Sequence, residues 1–242
     1  MANILLFGGL TYWGSLLTDR LLTEGNEVTV PYYETDEWAT KRGLLFGRNA
    51  LFSERVLSDE SNVEWREQNL TPDVLLLFDG LQHEDSDLML ANFTRCMIDF
   101  ENVEKIIVLS HIDIYGIIEG TVDEQAPLMP VTPLGRQAQY VETTVKKIVG
   151  DVARSNQLVI LRIPALYEGT NLNIESECQA AVDYLHIGDL IEAIHKAVGT
   201  CFGSGVQVIQ LTSGKWLGAS GNRVCYSYKK AEQLLGFNPE HI

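Results

Sequence analysis

The residues near the N-terminus best suited to chemistry are the glycines that follow a short apolar run. The run Ile4 to Phe7 ends at a turn, and apolar residues at helical spacing resume after it. The turn residues that could contact a ligand are Gly8, Gly9, Thr11, Tyr12, Trp13 and Gly14. Glycines in a strand–turn–helix unit let backbone N–H groups approach a phosphate, because no Cβ stands in the way. We predict a nucleotide-binding turn, with a tight turn that binds nothing as the open alternative.

The turn keeps only part of the usual three-glycine pattern. Gly8 and Gly14 match that pattern, but Thr11 occupies the position of the middle glycine. A carboxylate normally follows the second strand and holds the adenosine ribose. Here that strand ends in two tyrosines, and the first acids after it are Glu34 and Asp36. Glu34 is therefore only a displaced candidate for the ribose contact.

The pattern beyond this unit alternates between strand and helix. Strands are predicted at 28–30, 63–65, 74–78, 106–110 and 158–161. Helices are predicted at 38–46, 85–100 and 134–152. The last helix has an apolar stripe made of Leu134, Ala138, Val141, Val145, Ile148 and Val152. This alternation predicts a doubly wound parallel α/β sheet of the Rossmann type, with a crossover helix cut short before residue 74.

Composition excludes several classes of partner. The chain has 242 residues, of which 45% are hydrophobic, and this is enough for one core with a small appendage. A net charge of −15 argues against nucleic acid as a partner. The 4 cysteines are far apart, so we expect neither a metal site nor a disulfide framework, and a reducing cytoplasm fits. No Lys or Arg precedes Arg20 and glycines break the apolar run, so we expect neither a signal peptide nor a membrane partner.

Five further segments carry a resemblance to one family. V-E-K-I-I-V-L-S-H-I-D-I-Y-G (103–116) resembles a fifth strand followed by S-S-x-x-V-Y-G, and V-D-E-Q-A-P-L-M-P-V-T-P-L-G-R (122–136) resembles D-E-x-x-P-x-x-P-x-x-P-Y-G-x-S-K. L-R-I-P-A-L-Y-E-G (161–169), Y-L-H-I-G-D-L-I-E-A-I (184–194) and K-K-A-E-Q-L-L-G-F-N-P-E (229–240) resemble R-P-x-x-V-Y-G, F-V-H-V-D-D-V-A-x-A-I and S-K-A-x-x-L-G-F-x-P. On these motifs the chain is identified as a member of the extended short-chain dehydrogenase/reductases, also called the NAD-dependent epimerase/dehydratase family.

The resemblance implies a Rossmann-type nucleotide-binding core over 1–168 and a C-terminal lobe over 169–242 that adds a last strand and helices to the same domain. This lobe is much reduced, because few residues lie where the family builds its substrate pocket. NAD or NADP is the implied cofactor, and a chain that binds neither remains an alternative. The resemblance also implies cofactor contacts at Phe78, Ser110 and Pro164. A homodimer is implied through the helices at 85–100 and 134–152, although their apolar stripes equally suit a monomer core.

The departures from the family pattern fall on its catalytic residues. The family uses a Tyr and a Lys four residues apart for proton chemistry and a Ser or Thr to orient the substrate. Those positions are Leu134, Ala138 and His111 in this chain. The turn G-G-L-T-Y-W-G is closer to G-G-T-R-F-I-G of the atypical branch, which includes chloroplast stem-loop RNA-binding proteins. The acidity of the chain argues against an RNA role.

Two residues remain as catalytic candidates. His111 could act as a general acid or base near neutral pH, and the alternative is a partly buried histidine that fills vacated space. Asp113 matches the carboxylic acid of the sugar dehydratases, and the alternative is a carboxylate that caps a turn.

We therefore predict an NAD(P)-binding, epimerase-like pseudoenzyme that works as a binding or accessory protein, with a nucleotide or a protein as its partner. One alternative is an active oxidoreductase or epimerase that uses His111 and Asp113 on a large or carrier-bound substrate. Another is a structural subunit of a larger assembly.

Overall fold

The fold was analysed in a computed structural model of the chain. It describes residues 1–33, 35–57, 70–78, 80–81, 86–100, 102–152, 156–169, 183–217 and 223–240, without the side chains of Ser86 and Val152.

Twelve strands and six helices make up the described part of the chain. The strands are β1 (Asn3–Phe7), β2 (Glu27–Tyr33), β3 (Phe52–Leu57), β4 (Val74–Leu77), β5 (Lys105–His111), β6 (Gly120–Val122), β7 (Gln157–Ile163), β8 (Ala165–Tyr167), β9 (Tyr184–His186), β10 (Gly205–Gln210), β11 (Trp216–Leu217) and β12 (Val224–Tyr226). The helices are α1 (Tyr12–Thr23), α2 (Glu37–Phe46), α3 (Ser86–Asp99), α4 (Pro133–Val152), α5 (Ile187–Gly199) and α6 (Lys229–Leu235). A short 3-10 turn, Ile112–Tyr115, follows β5.

Seven strands form one parallel sheet in the order β10-β7-β5-β4-β1-β2-β3. The chain builds outward from β1 to β3 and then returns to the other side of β1 with β4, so the strand order reverses at β1. Ligands of doubly wound sheets bind beyond the carboxyl ends of the strands at such a switch point. The predicted doubly wound fold is confirmed, and the carboxyl end of β1 is the glycine turn.

Contacts along the chain define two compact units. Unit 1 comprises Met1–Leu109, Val141–Val159 and Gly203–Val206, and it contains the glycine turn. Unit 2 comprises Ser110–Tyr140, Ile160–Phe202 and Gln207–Ile242, and it contains His111 and Asp113. Within unit 2, β6, β12 and β11 form a small sheet, and β8 pairs with β9. The predicted division after residue 168 stays a prediction.

Helix α1 begins and ends where its sequence provides caps. The Thr11 side chain accepts a hydrogen bond from the Gly14 N–H at 3.1 Å, which satisfies one of the helix's unpaired donors. At the other end Gly25 has a φ of 79°, a left-handed conformation that favours glycine. Asn26 then bonds the Leu21 carbonyl through its side-chain amide at 3.0 Å. The strand–helix–strand unit predicted from the glycines is therefore present, with its helix capped at both ends.

The central strands and the long helix supply the core. Residues of β1, β4 and β5 are almost completely buried, as expected for strands covered on both faces. On α4 the predicted stripe is fully buried at Ala138, Val141 and Val145. The stripe prediction missed Glu142, which is 1% exposed and pairs with Lys146 at 2.8 Å. A buried carboxylate needs such a partner to offset its lost hydration.

Several strands lie where the sequence analysis placed none, and β3 is the one at the end of the large sheet. Strand β3 pairs with β2 in parallel, a few residues after the predicted helix 38–46. Its sequence F-S-E-R-V-L mixes charges with apolar residues, because an edge strand is only partly buried. The strand predicted at 63–65 lies outside the described residues. The shortened crossover inferred from it also falls largely outside them.

Three of the cysteines, Cys96, Cys201 and Cys225, are described, and all three are free thiols. None of the described helices is long and apolar enough to cross a membrane. The described residues also contain no group of three or more metal-ligating side chains.

The glycine turn yields a stability prediction. A Cβ at Gly14 would overlap the carbonyl oxygen of Gly8, and a backbone atom cannot move aside as a side chain can. We expect Gly14→Ala to lower the free energy of unfolding by about 2 kcal/mol or more. The matched control is Gly150→Ala on α4, where a Cβ meets nothing within 4 Å. That control should raise stability by about 0.5–1 kcal/mol through helix propensity. Urea denaturation measures both, and equal effects would contradict the packing role of Gly14.

Candidate functional site

The glycine turn in unit 1 is closed by its own backbone and by Thr11. The Thr11 hydroxyl donates to the Gly8 carbonyl at 2.8 Å, and the Thr11 N–H donates to the same oxygen at 3.1 Å. Gly8 has a φ of 82°, so only glycine adopts its conformation without strain. A Cβ on Gly9 would stand 2.8 Å from a methyl of Val30 on β2. The threonine in place of the middle glycine therefore braces the turn and does not disrupt it.

A cleft opens beside this turn, at the carboxyl ends of β1 and β2. It is lined by Gly8, Leu10, Thr11, Pro31, Tyr32, Tyr33, Asp36, Ala39 and Met89, and its cavity volume is about 20 Å³. Small-molecule sites commonly enclose roughly 300–1,000 Å³. The cleft is thus a shallow depression, far smaller than a site that encloses its ligand.

The N-cap residue of helix α2 lines the cleft, and an arginine of the helix contacts the adjoining turn. Asp36 caps the helix, because its Oδ1 accepts the N–H groups of Trp38 at 3.0 Å and Ala39 at 2.9 Å. Arg42 donates to the carbonyl of Leu10 at 2.9 Å, which ties α2 to the glycine turn. Its guanidinium lies 6.0 Å from the ring of Tyr12. The cleft is thus lined by one carboxylate, and one cation is bonded to the backbone of a lining residue.

The turn and the cleft contain groups of the kind that bind nucleotides. The N–H groups of a helix's first turn are the natural partners of a phosphate, and in α1 the Thr11 side chain already accepts the N–H of Gly14. Tyr32 and Asp36, an aromatic ring and a carboxylate, line the cleft. The predicted contact Glu34 lies outside the described residues. Of the described acids near it, Asp36 is the one that lines the cleft.

In unit 2, His111 and Asp113 are brought together by the 3-10 turn. The Nδ1 of His111 accepts the Asp113 N–H at 3.1 Å and lies 3.2 Å from Oδ1 of the same residue. Accepting the amide requires a bare Nδ1, so the neutral ring carries its proton on Nε2. The Nδ1 can donate to the carboxylate only after the ring takes up a second proton. The neutral His111 ring therefore donates a hydrogen bond through Nε2, and Nε2 cannot act as a base.

The same arrangement recurs elsewhere in unit 2. The Nδ1 of His186 accepts the N–H of Gly188 at 3.1 Å and caps helix α5. Both histidines cap the element that follows them, two residues before the bonded amide. His111 is also only 8% exposed. This repetition favours a structural role for His111.

Asp113 is held by more than the histidine. The Thr132 hydroxyl donates to its Oδ2 at 2.9 Å and accepts the Gly135 N–H at the start of α4, also at 2.9 Å. The hydrogen bond that His111 donates to the carboxylate once its ring is protonated holds the pKa of Asp113 below its usual range, although partial burial opposes the shift. Its side chain remains 34% exposed. Asp113 is therefore an anion at neutral pH and the more accessible member of the pair.

In unit 2, the face of α4 that corresponds to the family's catalytic positions is packing surface. Ala138, at the position of the family's lysine, is completely buried. Leu134, at the position of the tyrosine, is half-buried, and Tyr140 points into solvent with 55% of its surface exposed. These positions therefore retain no group that could donate or accept a proton.

The remaining residues predicted to contact the cofactor differ in exposure, and Phe78, Ser110 and Pro164 are buried. Phe78 follows β4, donates its N–H to the Phe7 carbonyl at 3.0 Å and is 6% exposed. Ser110 and Pro164 are buried in unit 2. Tyr12, in the turn, is 54% exposed and packs edge-on against Trp13 at 4.8 Å.

Unit 2 also buries an arginine that the sequence analysis did not single out. Arg162 is 2% exposed, and its guanidinium donates to the Tyr115 hydroxyl at 2.7 Å. Tyr115 in turn packs 6.1 Å from the ring of Tyr226. Burial raises the pKa of Tyr226, with smaller contributions from the charges of Asp113 and Asp183. This cluster fixes the 3-10 turn that carries Asp113.

The sequence analysis also did not single out Thr132 and Arg42. Thr132 had a detectable signal, because threonine followed by proline is typical of a helix start. Arg42 had none, since its contact with Leu10 spans 32 positions of the chain.

The shifted pKa of Asp113 gives a prediction for stability against pH. A carboxyl whose pKa is lower in the folded state contributes stability above its unfolded value near 3.9, and this is lost as pH falls through the folded value. We expect Asp113→Asn to lower the free energy of unfolding at pH 7 by about 1 kcal/mol, a modest figure because the side chain is partly exposed. In denaturant titrations the difference should shrink towards pH 3. A constant difference would contradict the assignment.

Comparisons with known proteins bear on the fold. No family model and no curated protein sequence matches the chain. Among solved structures, UDP-glucuronic acid 4-epimerase from Bacillus cereus in complex with NAD is similar, with a TM-score of 0.77 and 18% identity over 98% of this chain and 94% of that one. UDP-glucose 4-epimerase from Bifidobacterium longum with NAD⁺ and UDP gives a TM-score of 0.76 at 18% identity, over 98% and 93% of the two chains. UDP-glucose 4-epimerase from Thermotoga maritima gives a TM-score of 0.74 at 18% identity, over 98% of this chain and 94% of that one.

These similarities extend over nearly the whole chain, although the sequences have diverged widely. They agree with the motifs that pointed to an epimerase-like Rossmann fold, and that prediction is confirmed. The chain thus has the fold of the UDP-sugar 4-epimerases.

Proposed function

We propose that this protein binds a nucleotide at the glycine turn and has lost the hydride chemistry that the fold usually performs. The observation that carries the proposal is a contrast between two positions. The turn keeps Gly8 in its left-handed conformation, whereas Ala138 replaces the catalytic lysine and is completely buried. A binding site has been kept where a catalytic pair has not.

NAD or NADP is the ligand class that fits this proposal. Solved structures of the same fold hold NAD. In this chain Gly8 and Thr11 would meet the phosphates, and Tyr32 and Asp36 would meet the adenosine. The nicotinamide, when bound, would supply hydride transfer. The residues of this chain bind and orient the ligand, and with Leu134 and Ala138 on α4 they lack the usual proton donor for that transfer.

The proposed setting is that of a cytoplasmic accessory protein, on the grounds of its dispersed cysteines and acidic composition. A homodimer through α3 and α4 belongs to the same proposal. Among the described residues of these helices, the large apolar side chains with substantial exposure are Ile98 and Tyr140, at 44% and 55%. That is a small apolar area for a dimer contact.

One observation favours an active enzyme as the second candidate. His111, once protonated, would stand 3.2 Å from Asp113, whose carboxylate Thr132 holds in place. Such a pair could exchange a proton with a large or carrier-bound substrate. This candidate requires His111 to release the amide that it caps in its neutral form.

Nucleotide binding is tested by thermal unfolding with millimolar NAD, NADH, NADP and NADPH. A ligand present at ~100 times its Kd stabilises the native state by about 2.7 kcal/mol, which is a shift of a few degrees for a chain of this size. We expect Tyr32→Ala to reduce the shift and Tyr140→Ala, on exposed α4 surface, to leave it intact. If none of the four cofactors shifts the midpoint, binding of NAD and NADP is ruled out.

Loss of chemistry is tested by NAD(P)-dependent turnover of UDP-sugars, the substrates named for similar structures. We expect no turnover above background from the wild-type protein. His111→Ala is the informative variant, and His195→Ala on α5 is its matched control. Turnover that disappears in His111→Ala and persists in His195→Ala would establish the second candidate in place of the first.

A further inference from the structure

Unit 2 contains a cavity between helix α5 and the segment that follows α6. Its volume is about 440 Å³, compared with about 20 Å³ for the cleft beside the glycine turn. Small-molecule sites commonly enclose roughly 300–1,000 Å³. One wall is a stripe of α5, the other is the chain from Gly236 to Glu240, and every lining residue belongs to unit 2. This cavity is therefore separate from the glycine turn and has the size of a ligand site.

The stripe of α5 carries opposite charges along its length. Asp189, Glu192 and Lys196 line the cavity and recur at intervals of three and four residues, so they share one face of the helix. Asp189 lies in the first turn of α5 and Lys196 in the last. The rise of a helix places them about 10 Å apart along its axis. The cavity thus has an acidic end and a basic end.

The facing segment is held in place by its own contacts. Gly236 ends α6 in the left-handed conformation, with a φ of 57°. Phe237 is 3% exposed and packs edge-on against the ring of Tyr228 at 5.9 Å. The Glu240 N–H donates to Oδ1 of Asp189 at 3.4 Å, which ties the segment to the first turn of α5. Glu240, whose residue is exposed, therefore adds a carboxylate at the acidic end.

The basic end offers hydrogen-bond donors to a ligand. Lys196 follows Glu192 by four residues, a spacing at which opposite charges often pair, but its Nζ donates to the Gly236 carbonyl at 3.3 Å. An ammonium has three donors, so further donors are available for a carboxylate of a ligand.

The acidic end offers acceptors in a spread arrangement. The Glu192 side chain is 45% exposed, and an ionised carboxylate only accepts hydrogen bonds, so this end selects a donor such as an ammonium group. The described residues, which include Asp189, Glu192 and Glu240, form no group of three that could hold one metal ion. Carboxylates that do not converge on one point, with a base further along the wall, suit an extended ligand with separated charges.

We propose that this cavity binds a zwitterionic alkyl compound, whose ammonium group contacts Glu192 and Glu240 and whose carboxylate contacts Lys196. The hydrocarbon between the two charges would pass Ala193, which lines the cavity between the acidic and basic ends. An extended chain advances about 1.2 Å per bond, so 6-aminohexanoate separates its charges by about 7 Å. A hydrogen bond of about 2.9 Å at each end lets it span the stripe. The inference adds a second ligand and does not depend on nucleotide binding.

Amino acids with a terminal ammonium and increasing chain length are the probes, and titration calorimetry gives their Kd. We expect the tightest binding near 6-aminohexanoate. The short 3-aminopropanoate reaches only one end of the cavity and should bind about tenfold more weakly, because it loses one charge-assisted hydrogen bond. Hexylamine and hexanoate each lack one of the two charges, and each should also bind about tenfold more weakly than 6-aminohexanoate.

Matched variants assign each charge of the ligand to its end of the cavity. Lys196→Met should remove the preference for 6-aminohexanoate over hexylamine, and Lys196→Arg should keep it. Lys147→Met, at an exposed position on α4, is the control and should also keep it. Glu192→Gln with Glu240→Gln should remove the preference for 6-aminohexanoate over hexanoate, whereas Glu119→Gln, at another exposed position, should not. Circular dichroism checks that each variant folds.

Several results would overturn the proposal. These are the absence of binding at millimolar 6-aminohexanoate, equal affinities for 6-aminohexanoate and the two singly charged compounds, a Kd independent of chain length, and equal losses in the cavity and control variants. Thermal shifts with NAD on the same samples report nucleotide binding separately, so failure of one idea is distinguishable from failure of the other.

Discussion

The close approach of Gly8 and Gly14 is the constraint on which unit 1 depends. Strand β1 can pass directly into helix α1 only because no Cβ separates the Gly8 carbonyl from the helix. Thr11 then completes the turn with bonds to both glycines, at 2.8 and 3.1 Å. Given this geometry, α1 returns the chain to β2, and the cleft opens where the two strands end. The feature that binds phosphate in this fold is thus also a packing requirement of unit 1.

Several capping hydrogen bonds likewise stabilise the fold and involve residues of the candidate sites. Asp36 caps α2 at the rim of the cleft, and Thr132 caps α4 while holding Asp113. His111 and His186 cap the elements that follow them through Nδ1. A side chain that satisfies a helix amide in the folded state is stabilising in its own right. At His111 this structural use competes with proton chemistry, because the lone pair that caps the turn fixes the proton on Nε2.

How much the sequence could predict depended on the range of the interactions. Local patterns were sufficient for the glycine turn, for the buried strands β1, β4 and β5, and for the long helix α4. The edge strand β3 was missed because its charged residues break the apolar run. Arg42 and Arg162 escaped because their contacts join distant parts of the chain. That Leu134 and Ala138 replace a catalytic tyrosine and lysine could be recognised only through the family motifs. The capping role of His111 could be recognised only in the structure, from the distance between its Nδ1 and the Asp113 amide.

We propose that this chain binds a nucleotide at the glycine turn, on a fold whose usual catalytic tyrosine and lysine are replaced by Leu134 and Ala138. An amide NMR titration of isotope-labelled protein with NAD⁺ tests this proposal at the level of single residues. We expect the largest shift changes on residues 8–14 and 32–39, around the turn and the cleft, and we expect them to saturate with one ligand per chain. Saturating changes elsewhere, with residues 8–14 unmoved, would contradict it, as would the absence of any change at millimolar NAD⁺.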